Sequence, residues 1–253
     1  MTEKSLQGRV ALVTGGAKRI GRAIALALAD RGAAVVVNAR SDRGAAEAVV
    51  GEIGSRGARG TVCMADVSDP AAVDAMIAAA VAEFGGLDIL VNNAAVRRSV
   101  EFAALDYAEW RAIMAIDLDG TYLCCRAALP HLAKSGRGRI VNIGGVTSHI
   151  GARGRAHVVA AKAGVVGLTK ALALDLGPSG ITVNCLAPGL IEDENDKPHE
   201  IEFRRRHTPP EKIPLGRIGV PQDVGSAVAA LVGDDFAYLT GQTIHLNGGV
   251  FLW

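Results

Sequence analysis

A chain of 253 residues, 49% hydrophobic and only 21% charged, carries enough apolar material for one large α/β core or two small ones. Its formal net charge of +1, with Lys and Arg mixed among Asp and Glu, offers no field to draw in nucleic acid or an acidic membrane, so neither partner is expected. Cys63, Cys124, Cys125 and Cys185 lack metal-ligand spacing and read as reduced, buried apolar groups, the stretch before residue 10 is too polar for a signal peptide, and no apolar run approaches bilayer length; a cytoplasmic protein without a metal is expected.

The predicted elements alternate from the start. A first strand at 9–13 is followed by a helix at 21–31, a strand at 34–38, a helix at 43–56, a strand at 60–65, a helix at 70–84 and a strand at 87–92. A long helix at 108–135, a strand at 139–143, a helix at 156–178 and a strand at 182–187 continue the rhythm. Residues 191–212, charged and proline-bearing, interrupt it just after a strand end; they read either as a lid over a substrate or as a plain surface loop. A helix at 221–232 and a strand at 242–246 close the chain. The strands are short, β-branched and little alternating, as strands covered on both faces should be. With no linker, repeat or low-complexity tract, residues 1–253 are expected to form a single α/β domain, a doubly wound parallel seven-stranded sheet with helices on both faces.

Between the first strand and helix stands Thr14-Gly15-Gly16-Ala17-Lys18-Arg19-Ile20-Gly21. Gly15 and Gly16 permit a tight turn, and Gly21 lets the helix sit close to the sheet with its N-terminus aimed at a pyrophosphate. A Rossmann-type, dinucleotide-binding domain is therefore expected. The second strand runs into Asn38-Ala39-Arg40-Ser41, with no carboxylate before Asp42. A carboxylate there would bond a ribose 2′-hydroxyl and repel a 2′-phosphate, whereas Arg40, with Lys18 or Arg19, can form charge-assisted bonds to that phosphate. NADP(H) is expected over NAD(H), the competing reading being that these are ordinary solvated cations.

The glycine turn resembles that of the short-chain dehydrogenase/reductase family, written Thr-Gly-x-x-x-Gly-x-Gly, with Arg19 at the middle glycine as in pteridine-reductase-like members. The resemblance covers nearly the whole chain and is of the 3-oxoacyl-carrier-protein-reductase-like kind. Asp66-Val67 looks like the family's adenine-side pair, Asn92-Asn93-Ala94-Ala95 like its Asn-Asn-Ala-Gly element, and Pro188-Gly189 like the element packed near the nicotinamide. Gly219 to Asp223, Leu239-Thr240-Gly241-Gln242 and Asn247-Gly248-Gly249 resemble its closing segment. The resemblance implies cofactor contacts from Gly15, Lys18, Arg19, Ile20, Gly21, Arg40, Asp66, Val67, Asn93, Lys162, Pro188 and Gly189. It also implies a homotetramer paired through the long helices, with the apolar Val250-Phe251-Leu252-Trp253 covered in a contact.

Reductases of this family use an Asn–Ser–Tyr–Lys set, in which Tyr moves the proton, Ser holds the substrate oxygen and Lys lowers the Tyr pKa and binds ribose. Matching Gly138-Arg139-Ile140-Val141-Asn142-Ile143 to the family's fifth-strand element puts Gly145 at the Ser position. Matching Ala160-Ala161-Lys162-Ala163-Gly164 to the Tyr-x-x-x-Lys element puts Val158 at the Tyr position, while Asp117 stands for Asn; only Lys162 survives. Arg155, at the spacing used by enoyl reductases for Tyr, would share the Lys162 face if the helix reached back to it. His157 reads as a surface or interface residue. Thr147, Ser148 and His149 on the loop after the fifth strand, and Arg97 and Arg98, are the other polar groups nearby, with His149 the best replacement acid or base. Asp117 is expected to pair with Lys162, to shift its protonation or to touch substrate, or else to be structural.

Three functions remain open on these residues: an NADP(H)-dependent oxidoreductase acting on a small molecule with an activated C=N or C=O, a lyase, dehydratase or hydrolase using Asp117, His149 or Lys162, or an inactive NADP(H)-binding protein.

Overall fold

Seven short strands, β1 (Val10–Val13), β2 (Ala34–Ala39), β3 (Gly60–Met64), β4 (Ile89–Asn92), β5 (Arg139–Ile143), β6 (Thr182–Pro188) and β7 (Thr243–Leu246), form one sheet in the order β3-β2-β1-β4-β5-β6-β7. Every pairing is parallel. The computed structural model describes residues 4–194, 196, 198–207 and 209–252, with only the backbone of 200, 203, 204, 206 and 207.

The strands separate two cores by simple alternation. Ala11 and Val13 of β1 face a cluster built with α1 (Arg19–Asp30), α2 (Arg43–Ser55) and α9 (Pro221–Leu231). Val10 and Leu12 face the opposite cluster, built with α3 (Pro70–Phe84), α5 (Gly120–Ser135) and α7 (Ala156–Leu176). Both faces are thus dry, which is why the strands lack polar alternation. Asp42 and Asp69 cap α2 and α3 by accepting from Ala45 N at 3.0 Å and Ala71 N at 2.9 Å. The chain runs outward from β1 to β3 and returns to place β4 beside β1, so a crevice opens at the carboxyl ends of those two strands.

Four expectations change. The helix expected over 108–135 is α4 (Tyr107–Met114), a π-helical turn (Ala115–Asp119) and α5, and the turn carries Asp117. The loop after β5 contains a short helix, α6 (Thr147–Ile150). Within 191–212, Ile191 bridges Gly219 and the chain then forms α8 (Pro198–His207) and a 3-10 turn at Pro210–Lys212, while 195, 197 and 208 lie outside the described residues. One stretch, Ala156–Ser179, does have the length and hydropathy, 1.4, to cross a bilayer; its buried Lys162, Thr169 and Ala173 pack it into the domain as a core helix.

Candidate functional site

The glycine turn is shaped by backbone contact. Gly15 has φ +59°, and a Cβ on Gly21 would stand 2.1 Å from Gly15 O and 2.6 Å from Asn93 Nδ2. No side chain fits there. Asn93 Nδ2 donates to Thr14 O and Gly15 O, each at 3.0 Å, while Thr14 Oγ1 accepts from Asn93 N at 2.9 Å and Ala94 N at 3.0 Å. Asn38, buried at the end of β2, accepts from Gly15 N at 3.1 Å and donates to Cys63 O and Ala65 O, so one amide ties the ends of three strands. A polar residue closing an apolar strand was the available signal for that role. Ile20 is core, anchoring the first turn of α1.

Beside this turn lies a cavity of about 270 Å³ bounded by Gly15, Lys18, Asn38, Arg40, Asp66 and Val67. Lys18 Nζ stands 2.6 Å from Asp42, and Arg40 Nη1 is 4.0 Å from Asp66. Arg19 faces elsewhere. Its backbone has φ +50°, matching a position where the family uses glycine, and its guanidinium pairs with buried Asp196, Nη2 donating to Oδ2 at 3.2 Å. It lines a second cavity, of about 560 Å³, with Lys18, Arg22, Glu192, Asp193 and Glu194. Of the two cations expected to join Arg40, Lys18 lines the same cavity as Arg40, whereas Arg19 turns toward the segment after β6. Both cavities border the glycine turn; the smaller one is also lined by residues at the end of β2 and just beyond β3, Asn38, Ala39, Arg40 and Asp66.

The other end of the crevice is built on β5 and α7. Lys162 is buried and donates from Nζ to Ile143 O at 2.8 Å. Burial pulls its ammonium below the usual lysine range, opposed by the charge of Asp117. Asp117 is fully enclosed, and its Oδ1 accepts from Val96 N at 2.8 Å while Oδ2 has no hydrogen-bond partner among the described residues. Burial pushes its carboxyl up, against Lys162 and the Val96 amide. The two groups feel each other without a direct ion pair. Gly120 stands so close to the adenine-side segment that a Cβ there would meet Val67 Cγ2 at 2.9 Å.

Val158, at the Tyr position, is buried among Ile113, Ala161 and the edges of Val96, Met114 and Leu118. Gly145, at the Ser position, has open space, a Cβ there meeting only Thr147 Oγ1 at 3.8 Å. His149 packs edge-on to His245, ring centroids 4.5 Å apart, and stacks with Phe251 at 5.9 Å; burial, then His245, lowers its pKa. Arg155 precedes the first residue of α7 and donates to Ser99 Oγ at 3.1 Å. His157 is fully buried, contrary to a surface or interface placement, because α4 covers it; its Nε2 lies 3.9 Å from Glu109 Oε1. Pro188 O accepts from Val146 N, and a Cβ on Gly189 would stand 2.7 Å from Asn247 Cβ, so these two residues close the crevice against β5 and the C-terminal turn. Trp253 lies outside the described residues. The cysteines are free; burial raises Cys124 and Cys125 to about 12 and Cys185 to about 11, leaving thiols without nucleophilic character.

Known proteins share this framework. The family model described as Enoyl-(Acyl carrier protein) reductase matches residues 15–251. The chain is 41% identical over 248 residues to the 3-oxoacyl-(acyl-carrier-protein) reductase FabG of Vibrio cholerae, covering 98% of this chain and 99% of that protein. It is 40% identical over 248 residues to the enzyme of the same name from Escherichia coli. A third relative, the (2S)-[(R)-hydroxy(phenyl)methyl]succinyl-CoA dehydrogenase subunit BbsD of Thauera aromatica, is 40% identical over 249 residues, 96% of this chain and 97% of that one.

Proposed function

We propose a reductase function from one premise: the chain belongs to the short-chain dehydrogenase/reductase family, a family of oxidoreductases. In this reading it is a cytoplasmic, homotetrameric, NADP(H)-dependent enzyme that reduces a small molecule whose C=N or C=O bond is already activated. The names of its relatives put 3-oxoacyl thioesters among the first substrates to try.

The cofactor part rests on the residues around the 270 Å³ cavity. The glycine turn suits a dinucleotide, since Gly21 lets the first turn of α1 close against Gly15 O and Asn93 and so sets the helix N-terminus beside the cavity. Bound there, the cofactor would supply hydride. Lys18 and Arg40 favour a 2′-phosphate, which at close to two negative charges competes with the single charges of Asp42 and Asp66 for the same cations. Lys162, Asn93, Pro188 and Gly189 remain the groups proposed to hold the nicotinamide half.

The observation that carries the reading is the pairing of that intact turn with a crevice in which Lys162 is kept while Val158 and Gly145 present neither acid nor hydroxyl. A substrate activated beforehand needs less from the protein. The non-redox alternative loses ground because Asp117 is enclosed and His149 packs against His245 and Phe251. The test is a fluorescence titration with NADPH and NADH, followed by nicotinamide absorbance during turnover. NADPH should bind more tightly, Arg40→Asp should reverse the order, and NADPH should be consumed as substrate is reduced. Equal affinities would remove the NADP(H) assignment, and product without cofactor oxidation would remove the reductase reading.

A further inference from the structure

Three polar side chains follow Gly145, and the structure disposes of two. Ser148 Oγ donates back to Gly145 O at 2.7 Å, and His149 is held in the cluster with His245 and Phe251. Thr147 is half-buried, and its Oγ1 makes no hydrogen bond among the described residues. It is the one atom within 4 Å of where a Cβ on Gly145 would stand, apart from that glycine's chain neighbours, at 3.8 Å. A serine built on Gly145 would thus have its Cβ in ordinary contact with the Thr147 hydroxyl.

The turn holding this hydroxyl is firmly placed. Gly144 N donates to Leu186 O at 2.8 Å, Val146 N to Pro188 O at 3.0 Å, and Gly151 N to Thr147 O at 2.9 Å. Lys162 Nζ reaches the same strand end through Ile143 O. A donor fixed by backbone on both sides costs little reorganisation when charge develops beside it.

We infer that Thr147 Oγ1 supplies the contact to a substrate carbonyl oxygen that Gly145 cannot make. The inference rests on the reductase reading and narrows it. As hydride adds to the carbonyl carbon, the π pair moves to oxygen, that oxygen accepts the Thr147 hydrogen bond, and water entering the crevice provides the proton; the carbonyl is reduced as NADPH becomes NADP+.

The experiment compares Thr147→Val and Thr147→Ser with two probes, the acetoacetyl thioester of N-acetylcysteamine and N-methyl-1-pyrrolinium, which has no acceptor atom. Removing an oxyanion donor costs about 10²–10³-fold, so Thr147→Val should lower kcat/KM for the thioester by that order. It should leave the pyrrolinium unchanged; Thr147→Ser should keep thioester turnover, and Gly145→Ser should restore it in the Thr147→Val background. Calorimetry of the thioester binding to the NADP+ complex gives a readout without turnover, and Thr147→Val should weaken it about tenfold with NADP+ affinity intact. Equal losses on both probes, unchanged thioester binding, or no thioester binding to the wild type would overturn the inference. If the wild type oxidises NADPH with neither probe, the reductase reading fails, and the calorimetric comparison alone decides Thr147.

Discussion

The two ends of the crevice follow different rules. Around the glycine turn the polar side chains are matched by backbone: Asn93 bonds Thr14 and Gly15, Asn38 bonds Gly15, Cys63 and Ala65, and Gly21 is required by a carbonyl that a Cβ would strike. Around β5 and α7 the matching fails. Among the described residues, Asp117 Oδ2, both ring nitrogens of His157 and Glu109 Oε1 are buried without hydrogen-bond partners, against Asn92 Oδ1 alone beside the glycine turn, and Gly145 opens onto space. Where backbone meets backbone, the residue is dictated by geometry; where side chains would do chemistry, the same fold tolerates their replacement. Unmatched buried polar groups are costly, so the group of them between α4, the π-helical turn and α7 marks a region shaped by something other than stability.

The sharpest way to test that contrast is to refill the altered end. Gly145→Ser with Val158→Tyr puts back a hydroxyl where there is room and a phenol above Lys162. A positioned general acid is worth about 10²–10⁴-fold, so reduction of unactivated ketones should rise by that order from a weak baseline. Gly145→Ser alone should add little, because Thr147 already offers a hydroxyl in that space. Steady-state rates with a simple cyclic ketone decide it; brisk wild-type turnover, or no gain in the double variant, would mean the site differs in more than these two positions.

The intact end should break under a far smaller change. Gly21→Ala adds one methyl group, but it lands on Gly15 O and Asn93 Nδ2, and overpacking of this kind typically costs about 1–3 kcal/mol. Expressed in cofactor affinity that is roughly ten- to a hundredfold. NADPH titration should show the loss while far-UV circular dichroism stays native. An unaltered affinity would show that the turn has more freedom than its contacts suggest.

Most of the framework was legible because it follows from local pattern. Short β-branched runs such as Val35 to Val37 admit little besides buried strands, and the observed strand ends lie within two residues of those expected. The π-helical turn was not legible, since nothing between Tyr107 and Asp119 breaks helical periodicity; it leads directly into Gly120, which packs too closely on Val67 to carry a side chain. Arg19 was misplaced for a related reason. Charge alone puts it beside Lys18, whereas its φ of +50° swings it to Asp196, a partner 177 residues away. His157 is expected at a surface or interface because burial of a histidine without hydrogen bonds among the described residues has no sequence pattern at all.

The smallest expected effect concerns the two buried charges that sense each other across the π-helical turn. Asp117 raises the pKa of Lys162, while burial lowers it by more. Asp117→Asn keeps an oxygen that can accept from Val96 N and removes the negative charge, so the pKa of Lys162 should fall further. The sign for binding follows directly. If a protonated Lys162 holds the ribose, affinity for NADPH is full below the folded-state pKa of that lysine and declines as pH rises through it. In the variant this decline should begin at a lower pH than in the wild type, with affinity below both values nearly the same. Isothermal titrations over a series of pH values read the midpoint. A midpoint that stays in place would show that Asp117 and Lys162 are electrically independent, and that the carboxylate serves only to hold Val96; a midpoint that moves upward would reverse the sign and contradict the enclosure of both groups in one low-dielectric space.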